Sequence, residues 1–381
     1  MPETLSYLNN EDPVIQPGQR MPPEKSWRPP AGVRMISADD HIEEVEDLWQ
    51  ERMAAKWKDR APKLWFDKGT GWKMEIEGRS VLAPGIESQK DFATSRGSHD
   101  PAARVAVMDS EGIEASVIYP GRAMVLNATQ DNDLYIAAVD AFNEWFAEHV
   151  RGFERRLLPV AMLSAWRKPE IARDRLQMIR QLGFRIVQLP NYPRGVRYNS
   201  REMDGLFGAI EESGLTLAFH VGPVLEFVGT GSLGANCTRN FSPFRPLLGQ
   251  LMFSGVLERH PALKVAFVEG GATWAAHALT DMDHIHRVYH ATLRPRLAKK
   301  PSFYWHRQCS TSFMYDPCAL RLADVIGVDN LIWSTDYPHN EGVYGFAGEI
   351  AEDIWKQLGP DAAAKVLGGN AARMWNIDPL H

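Results

Sequence analysis

The sequence predicts an α/β protein, a (β/α)8 TIM barrel with an insertion after the first strand and an extended N-terminal arm. Eight short apolar runs alternate with amphipathic helical segments from Val33 to the end of the chain. The runs lack polar alternation, which is typical of strands buried on both faces of a parallel sheet. A doubly wound open sheet is the alternative, but no glycine-rich dinucleotide turn follows the first run.

The eight predicted strands follow one another along the chain, with one long gap after the first. They are VRMISADDH (33–41), ASVIYP (115–120), LLPVAML (157–163), FRIVQLP (184–190), LTLAFHV (215–221), LKVAFVEGG (263–271), FYWHRQCSTS (303–312) and NLIWSTDYPH (330–339). Helical periodicity is clear between them at 133–150 and at 169–183, and Gly183 is a typical C-cap for the second helix.

Two segments lie outside this repeating pattern. Residues 1–32 are rich in proline and have no hydrophobic periodicity, so we expect an arm that lies across the barrel or on a neighbouring subunit. Residues 47–100 separate the first strand from its helix and contain a hairpin pattern at 72–85. Because loops at the C-terminal face of a barrel carry function, this insertion is predicted to cover the mouth of a single domain, residues 33–381.

Composition and charge narrow the class of partner. A net charge of −6 and a pI near 6.1 argue against a nucleic-acid partner or an anionic membrane surface. No apolar run is long enough to span a membrane, and the acidic N-terminus is unlike a signal peptide. The three cysteines form no CxxC pair, which favours a reducing, cytoplasmic location. We therefore expect a small-molecule substrate.

Polar side chains gather at the C-terminal ends of the predicted strands, where barrel enzymes place their catalytic groups. Asp39 and His41 end the first strand and, two residues apart, point the same way. His220 ends the fifth strand and Asp336 ends the eighth. A lone strand histidine is more often structural, but these four residues fall at the same end of the barrel. Two histidines and two carboxylates suit a divalent cation such as Zn²⁺ or Mn²⁺, which would also offset the cost of burying a carboxylate.

These motifs resemble the amidohydrolase superfamily. The Asp-x-His-x-x-Glu pattern at 39–44, the strand-end His220 and WSTDYPH at 333–339 are similar to the branch that includes aminocarboxymuconate semialdehyde decarboxylase and the resorcylate-type decarboxylases. GVLERHPALKVAFVEGGATW (255–274) and LGGNAARMWNI (367–377) extend the resemblance, which runs from about Val33 to Asn376. The motif set is specific for the branch and does not indicate a substrate.

The resemblance implies roles for individual residues. The metal ligands would be Asp39, His41, His220 and Asp336, with an acid in place of the first histidine that many relatives carry on the first strand. Gln188 stands where dinuclear relatives carry a bridging lysine, so a single metal ion is expected. Asp336, touching both the metal and its water, would be the proton-transfer group. One departure is Glu269, because the decarboxylases carry a catalytic histidine before the Gly-Gly pair.

Glu269 and His339 complete the predicted catalytic set with Asp336. Glu269 would orient the substrate, act as a second acid or base, or hold His220; a salt bridge to an arginine of a neighbouring strand is the structural alternative. His339 follows Pro338 in a rigid turn and is predicted to face the pocket as a donor, with loop capping as the alternative.

Arginines near strand ends are the candidates for binding a substrate carboxylate through a forked contact. They are Arg122 after IYPG, Arg194 in NYPRG and Arg307 on the predicted seventh strand, and Tyr119 of IYPG is a further candidate substrate contact. The segment DMDHIHRVYH (281–290) lies away from the strand ends, so a solvated helix face or subunit contact is favoured there over a second metal site.

Together these residues predict a metal-dependent hydrolase that acts on a small, ring-bearing carboxylate, amide, ester or lactone through a metal-activated water. The alternative is non-oxidative decarboxylation of an aromatic or unsaturated acid; Glu269 in place of the catalytic histidine favours hydrolysis. A binding protein that had lost catalysis would be expected to lack a ligand position, and all four are present. Relatives of this branch are commonly oligomeric, so we expect a homodimer or a larger assembly.

Overall fold

Eight parallel strands form one sheet that curls into a nearly closed barrel, as the sequence predicts. The structure is a computed structural model, and it describes residues 26–67, 71–82, 96–193, 195–222, 230–231, 234–235, 238, 244–339 and 341–380. The strands in chain order are β1 (Ile36–His41), β2 (Lys63–Asp67), β3 (Gly71–Ile76), β4 (Arg79–Ser80), β5 (Ala115–Tyr119), β6 (Leu157–Met162), β7 (Ile186–Leu189), β8 (Thr216–His220), β9 (Val265–Val268), β10 (Cys309–Phe313) and β11 (Leu331–Trp333). The barrel order is β1-β5-β6-β7-β8-β9-β10-β11, and β2 to β4 form a separate antiparallel sheet.

Helices pack around the barrel and are started by side-chain caps at several points. Asp131 accepts hydrogen bonds from the Asp133 and Leu134 N–H groups, at 2.9 and 3.1 Å, which begins the longest helix. The α-helices are Leu48–Arg52, Pro101–Glu111, Asn132–His149, Ala172–Gln181, Asp204–Ser213, Phe244–Phe253, Val256–Arg259, Thr273–Val288, Pro301–Gln308, Pro317–Arg321, Ala323–Ile326, Ala347–Leu358, Pro360–Ala364 and Asn370–Trp375. The two helices predicted at 133–150 and 169–183 are among them, with small shifts at their ends.

The barrel closes through the backbone at its C-terminal end. The Asp336 N–H donates to the Asp39 carbonyl oxygen, and the His41 N–H donates to the Tyr337 carbonyl oxygen, both over 2.7 Å. These bonds join β1 to the chain just beyond β11. The closing seam therefore runs through residues predicted to bind the metal.

A bulge in β1 decides which of its side chains face the barrel interior. From Ser37 to Asp40 the strand advances three residues while its partner β5 advances two, from Ser116 to Ile118. An extra residue of this kind shifts the alternation of side chains between the two faces. As a result Asp39 faces the interior, and Asp40 points outward.

The interior is filled by small and β-branched side chains from most of the barrel strands. Fully buried members of this cluster include Ile36, Val117, Val160, Ala218, Val268 and Ile332. The last helix closes the opposite end of the barrel, where the Met374 carbonyl accepts from the Thr216 hydroxyl and Trp375 packs against the same cluster. Each fully buried aliphatic side chain contributes roughly 1.5–3 kcal/mol to stability. The interior is thus a packed core that leaves only the C-terminal mouth for polar groups.

The seventh predicted strand is wrong over its first half. Residues 303–308 belong to the helix Pro301–Gln308, and only Cys309–Phe313 enter the barrel. Proline at the first helical position favours a helix start. The buried face of this helix carries side chains at helical spacing, Tyr304, Trp305 and Gln308. A short apolar run cannot be assigned to strand or helix from periodicity alone, which explains the error.

The segment after β1 contains the hairpin β3–β4, and β2 extends it to a three-stranded sheet. This sheet contacts the chain that follows β5. Glu77 accepts hydrogen bonds from the Gln130 and Asp131 N–H groups at 2.7 and 3.1 Å, and the Trp72 ring lies 4.5 Å from the Arg122 guanidinium. Residues 68–70 and 83–95 lie outside the described part, so covering of the mouth stays a prediction.

Of the predicted arm, residues 26–32 are described, and residues 1–25 lie outside the description. Trp27 lies 5.8 Å from the Trp355 ring on the helix Ala347–Leu358, and Arg28 donates to the Ser110 carbonyl oxygen. The last part of the arm therefore packs on helices of its own barrel. Among the described helices, none combines the length and the apolar character that crossing a bilayer requires.

Candidate metal centre

Six metal-ligating side chains meet at the C-terminal mouth of the barrel. They come from the ends of β1, β8, β9 and β11: Asp39, His41, His220, Glu269, Asp336 and His339. The first five are almost completely buried, whereas the His339 side chain is 20% exposed. The structure thus brings together the four predicted ligands and adds the two residues predicted to be catalytic beside them.

The six ligating groups form a closed ring of neighbours. The Asp39 Oδ1 atom lies 3.2 Å from His220 Nε2 and 3.7 Å from His41 Nε2. The Asp336 Oδ1 atom lies 3.5 Å from His41 Nε2 and 3.0 Å from His339 Nδ1. The ring is completed by Glu269.

Glu269 bridges the two sides of the cluster with its two carboxylate oxygens. Its Oε2 atom lies 3.2 Å from His220 Nε2, and its Oε1 atom lies 3.8 Å from His339 Nδ1. In the described part of the chain its charged neighbours are histidines, and the predicted alternative of an arginine salt bridge has no counterpart among those residues.

Backbone carbonyls fix the tautomers of two histidines. His41 Nδ1 lies 3.0 Å from the Pro120 carbonyl oxygen, and His220 Nδ1 lies 2.6 Å from the Val221 carbonyl oxygen. A carbonyl oxygen can only accept, so each Nδ1 carries the hydrogen. Both Nε2 atoms, when the rings are neutral, then present lone pairs to the cluster, as metal ligands do.

Several buried atoms of the cluster have no hydrogen-bond partner in the part of the chain that the structure describes: Asp39 Oδ2, His41 Nε2 and Asp336 Oδ2. Leaving a buried polar group unsatisfied costs about 1–3 kcal/mol, and more for a charged one. A divalent cation would satisfy all three atoms at once, since each can supply a lone pair.

Burial dominates the electrostatics of the cluster. Burial raises the pKa of Asp39, and it raises the pKa of Asp336 well above its ordinary value. It lowers the pKa of His41 well below its ordinary value. For His220 burial also lowers the pKa, but the Asp39 and Glu269 carboxylates outweigh it and the net pKa is raised. A bound cation favours ionised carboxylates and neutral imidazoles. Negative charge in the cluster is therefore unfavourable only while no cation is bound.

The backbone turns sharply at both carboxylates that end strands. Glu269 has a φ of 70° and Asp336 a φ of 55°, in the left-handed region that residues with side chains rarely adopt. The Glu269 N–H donates to the Ser312 hydroxyl at 2.9 Å. A Cβ on the next residue, Gly270, would lie 2.4 Å from the Phe244 ring, so only glycine fits there.

Asp40 is a structural residue beside the cluster. Its carboxylate accepts hydrogen bonds from the Thr335 hydroxyl at 2.5 Å, the Tyr337 N–H at 2.9 Å and the Ser37 hydroxyl at 3.1 Å, and also from the Ser116 hydroxyl. It therefore ties β1 to β5 and to the segment that carries Asp336. Its position between two inward-facing residues of a strand was the available signal.

Arg104, on the helix Pro101–Glu111, completes this outer support. It is 1% exposed, with its Nη1 atom 3.9 Å from Asp40 Oδ2. Its Nε atom donates to the Gly97 carbonyl at 2.8 Å, and Nη2 donates to the His41 carbonyl. The guanidinium lies 4.9 Å from the Tyr337 ring. No feature of the sequence links this helix residue to the site, because the contact is long-range.

Glu44, the last residue of the Asp-x-His-x-x-Glu pattern, holds the loop after β5. It accepts hydrogen bonds from the N–H groups of Gly121, Arg122 and Ala123, at 3.0, 2.8 and 3.0 Å. Burial raises the pKa of Glu44 to about 7 in spite of these bonds. Glu44 thus orients the loop and is directed away from the metal cluster.

Two of the residues predicted to bind the substrate, Arg122 and Tyr119, are buried close to the cluster. Arg122 is buried, forms an ion pair with Glu43 and stacks on Trp72, and burial lowers its pKa to about 9. The buried Tyr119 ring lies 4.7 Å from the His220 ring, and its hydroxyl has no hydrogen-bond partner among the described residues. Both therefore remain candidates.

Arg307 and the segment 281–290 do not lie at the mouth of the barrel. Arg194 lies outside the described residues. Arg307 is on a helix and donates to the Leu257 carbonyl, so its predicted place on a strand end is wrong. The histidines of 281–290 lie mainly on the exposed part of the helix Thr273–Val288, and no metal-ligating group is found there within the described ranges.

Comparison with known proteins identifies the family. A family model described as Amidohydrolase matches residues 83–377. This chain belongs to the amidohydrolase family. The predicted resemblance is therefore confirmed, and the chain is an enzyme of this superfamily.

Relatives and solved structures support the same assignment. A 2-amino-3-carboxymuconate-6-semialdehyde decarboxylase from Dictyostelium discoideum is 23% identical over 297 residues, which cover 74% of this chain and 77% of the relative. An amidohydrolase from Mycobacterium avium subsp. paratuberculosis has a TM-score of 0.74 at 19% identity, covering 90% of this chain and 99% of the other. A 5-carboxyvanillate decarboxylase from Novosphingobium aromaticivorans with bound manganese has a TM-score of 0.69 at 15% identity, covering 92% and 99%. These amidohydrolases share the barrel fold with this chain.

The residues of the cluster fit one divalent cation, as predicted for this amidohydrolase. Two groups of four ligating atoms, each within 4.8 Å of one another, overlap at His41 and Glu269. The buried atoms of Asp39, His41 and Asp336 that lack a hydrogen-bond partner among the described residues would also be satisfied by a cation. Zn²⁺ and Mn²⁺ both accept mixed imidazole and carboxylate ligands.

Purified protein is expected to contain close to one tightly bound Zn²⁺ or Mn²⁺ per chain, and replacement of His220 by Asn should lower this content. The reason is that the described residues contain one buried cluster of this kind, and that Gln188 supplies no bridging group on the fourth barrel strand. The metal content per chain is measured by elemental analysis of samples of known protein concentration. Active protein free of metal would contradict the metal mechanism, and two ions per chain would contradict the single-ion assignment.

Proposed function

We propose that this chain is a metal-dependent carboxy-lyase that removes CO₂ from a small aromatic or unsaturated acid without an oxidant. The observation that carries the proposal is Asp336, a fully buried carboxyl group within 3.5 Å of one candidate ligand and 3.0 Å of a partly exposed histidine. Such a group can deliver a proton inside a site from which water is largely excluded. The decarboxylases among the relatives support the same reaction.

The cation would bind the carboxylate of the substrate and polarise it. Asp336 then gives its proton to the ring carbon that bears the carboxylate. Electrons of the ring form the new C–H bond, and when the carbon–carbon bond breaks its electron pair returns to the ring and CO₂ leaves. The reaction consumes one proton for each CO₂ and no water.

His339 is suited to return the proton to Asp336. Its Nδ1 atom lies 3.0 Å from Asp336 Oδ1, and its side chain is 20% exposed whereas that of Asp336 is 0% exposed. Its ring stacks on His41 at 4.0 Å, which holds it at the edge of the cluster. His339 thus connects the buried carboxyl group to solvent.

Tyr119 and Arg122 are proposed to bind the substrate. Burial and the nearby Asp39 carboxylate raise the pKa of Tyr119 well above its ordinary value, so its hydroxyl stays a donor toward an anion. Arg122 has an Nε atom without a hydrogen-bond partner and lies against the Trp72 ring. An arginine beside an indole surface suits a substrate that has both a ring and a carboxylate.

Hydrolysis through an activated water is the second candidate, and Glu269 favours it. A carboxylate occupies the position where the decarboxylases of the branch carry a catalytic histidine, and it lies 3.2 Å from His220. A carboxylate in such a place can accept a proton from an attacking water. The two candidates differ in whether water is consumed.

The test is turnover of metal-loaded enzyme with two substrate panels. One panel contains hydroxybenzoic acids such as 2,6-dihydroxybenzoate and 5-carboxyvanillate, with released CO₂ measured. The other contains aryl esters and lactones, with acid release measured. CO₂ release that disappears in the Asp336→Asn variant supports the proposal. Ester or lactone hydrolysis with no CO₂ from any acid would overturn it in favour of the second candidate.

We also propose a homodimer or larger assembly in which the proline-rich arm contributes contacts. Trp27 and Arg28 already pack on the barrel, and the residues before them have a composition that cannot form a core of their own. Deleting residues 1–25 is expected to reduce the assembly state or its thermal stability. Sedimentation of the full chain as a monomer, with unchanged stability after the deletion, would contradict this.

A further inference from the structure

We propose that Glu269 is a ligand of the cation, and that it makes the site prefer Mn²⁺ over Zn²⁺. The inference rests on the metal site of the proposed function and adds a fifth protein donor to the four predicted from the sequence. It assigns Glu269 a role in metal selection instead of proton transfer.

The distances around Glu269 match those between neighbouring ligands of one ion. Its Oε2 atom lies 3.2 Å from His220 Nε2, the same separation as Asp39 Oδ1 from that nitrogen. In a regular octahedral site with bonds of about 2.1 Å, adjacent ligand atoms are about 3 Å apart. Glu269 also belongs to both groups of four ligating atoms, within 4.8 Å of every other member.

The surroundings of Glu269 provide no lysine or arginine as a countercharge among the described residues. The side chain is buried, and its ion-pair partners in the described ranges are His220 and His339, with neither lysine nor arginine among them. Two arginines near the cluster are engaged elsewhere, Arg104 with Asp40 and Arg122 with Glu43. A buried carboxylate needs a partner, and the cation is the one that this site supplies.

The backbone directs Glu269 to the cluster and keeps it there. The left-handed φ of 70° turns the chain immediately after β9, and the N–H of the residue is held by Ser312. Phe244 fills the space beside Gly270, which prevents the turn from relaxing on that side. These contacts hold the backbone of Glu269 in the conformation that directs its carboxylate to the cluster.

The donor set that results is oxygen-rich. With Glu269 the candidate donors are Asp39, His41, His220, Glu269 and Asp336. The first four lie within 4.8 Å of one another, and Asp336 lies within that distance of His41 and Glu269. Structural and catalytic zinc sites use four or three protein donors, mostly nitrogen and sulfur, whereas carboxylates suit Mn²⁺.

Metal dissociation constants, measured by chelator competition without substrate, test the proposal. Glu269→Gln is expected to weaken Mn²⁺ binding by about 10–100-fold or more, the range reported for groups that support metal sites, and to affect Zn²⁺ less. Glu269→His is expected to shift the preference toward Zn²⁺. Glu111→Gln is the matched control: Glu111 is also buried, but its oxygens accept the Gly345 and Ala347 N–H groups, so its metal affinity should not change.

A second measurement distinguishes the loss of a metal ligand from misfolding of the variants. The Mn²⁺ electron paramagnetic resonance spectrum of Glu269→Asp should resemble that of the wild type at reduced affinity, while that of Glu269→Gln should differ. Unchanged Mn²⁺ affinity and unchanged Mn²⁺/Zn²⁺ preference in folded Glu269→Gln would overturn the inference. That result would leave the CO₂ assay unaffected, so failure of this inference and failure of the proposed function are distinguishable.

Discussion

Replacing Asp336 by Asn is expected to lower the turnover rate by about 10²–10⁴-fold, the range of general acid–base catalysis. Asparagine keeps the size and one oxygen of the side chain but has no titratable proton, so the step at the ring carbon loses its donor. The same change removes the negative charge of a candidate ligand 3.5 Å from His41 Nε2, so metal affinity should fall as well. Both losses act in the same direction on the rate.

The two effects can be separated by measuring metal content in the same samples. Turnover is compared at saturating Mn²⁺, where the variant is loaded and only the proton transfer is impaired. Asp353→Asn, on the exposed side of the helix Ala347–Leu358, is the matched control and should retain full activity. Turnover above one tenth of wild type in a fully loaded Asp336→Asn variant would mean that another group carries the proton.

Replacing Asp40 by Asn is expected to lower the apparent free energy of unfolding by about 3–5 kcal/mol, the usual cost of removing one partner of a buried ion pair. Arg104 would keep its charge, at 1% exposure, with no carboxylate opposite its guanidinium. The hydroxyls of Thr335 and Ser116 and the Tyr337 N–H all donate to Asp40. The amide N–H groups of asparagine would face some of these donors, where a hydrogen-bond acceptor is needed. Chemical denaturation followed by circular dichroism measures the change.

A double variant shows whether the ion pair itself is responsible. Asp40→Leu with Arg104→Met removes both charges, and such apolar replacements of buried pairs are commonly much less damaging than the loss of one partner. Arg173→Met is the matched control, since its pairing with Glu212 is exposed and should contribute little. A single Asp40→Asn variant as stable as wild type would show that Arg104 finds another partner.

The features that depend on strand position could be predicted from the sequence. Asp39, His41, His220 and Asp336 were placed together because each ends a buried run, and parallel barrel strands all end at one mouth. The helix–strand error at 303–308 arose because its aromatic run fits both periods, and proline at its start was the overlooked signal.

Features that depend on local backbone geometry or long-range contacts could not be predicted. The bulge in β1 between Ser37 and Asp40 is one such feature, because no residue type in this stretch indicates it. The reach of Glu269 to the ligands depends on its left-handed φ. The support from Arg104 comes from a helix more than 60 residues along the chain, since it bonds to His41 across a sequence separation of 63.

The left-handed backbone at Glu269 has a consequence for selection and engineering. Glycine, asparagine and aspartate are the residues most easily accommodated at such φ values, so the local backbone favours replacement of this glutamate by a shorter residue. At this position fold stability and metal binding therefore favour different amino acids. Libraries of this chain screened for thermal tolerance alone should accumulate Glu269→Asn or Glu269→Gly, and such survivors would be heat-resistant barrels with weakened metal binding.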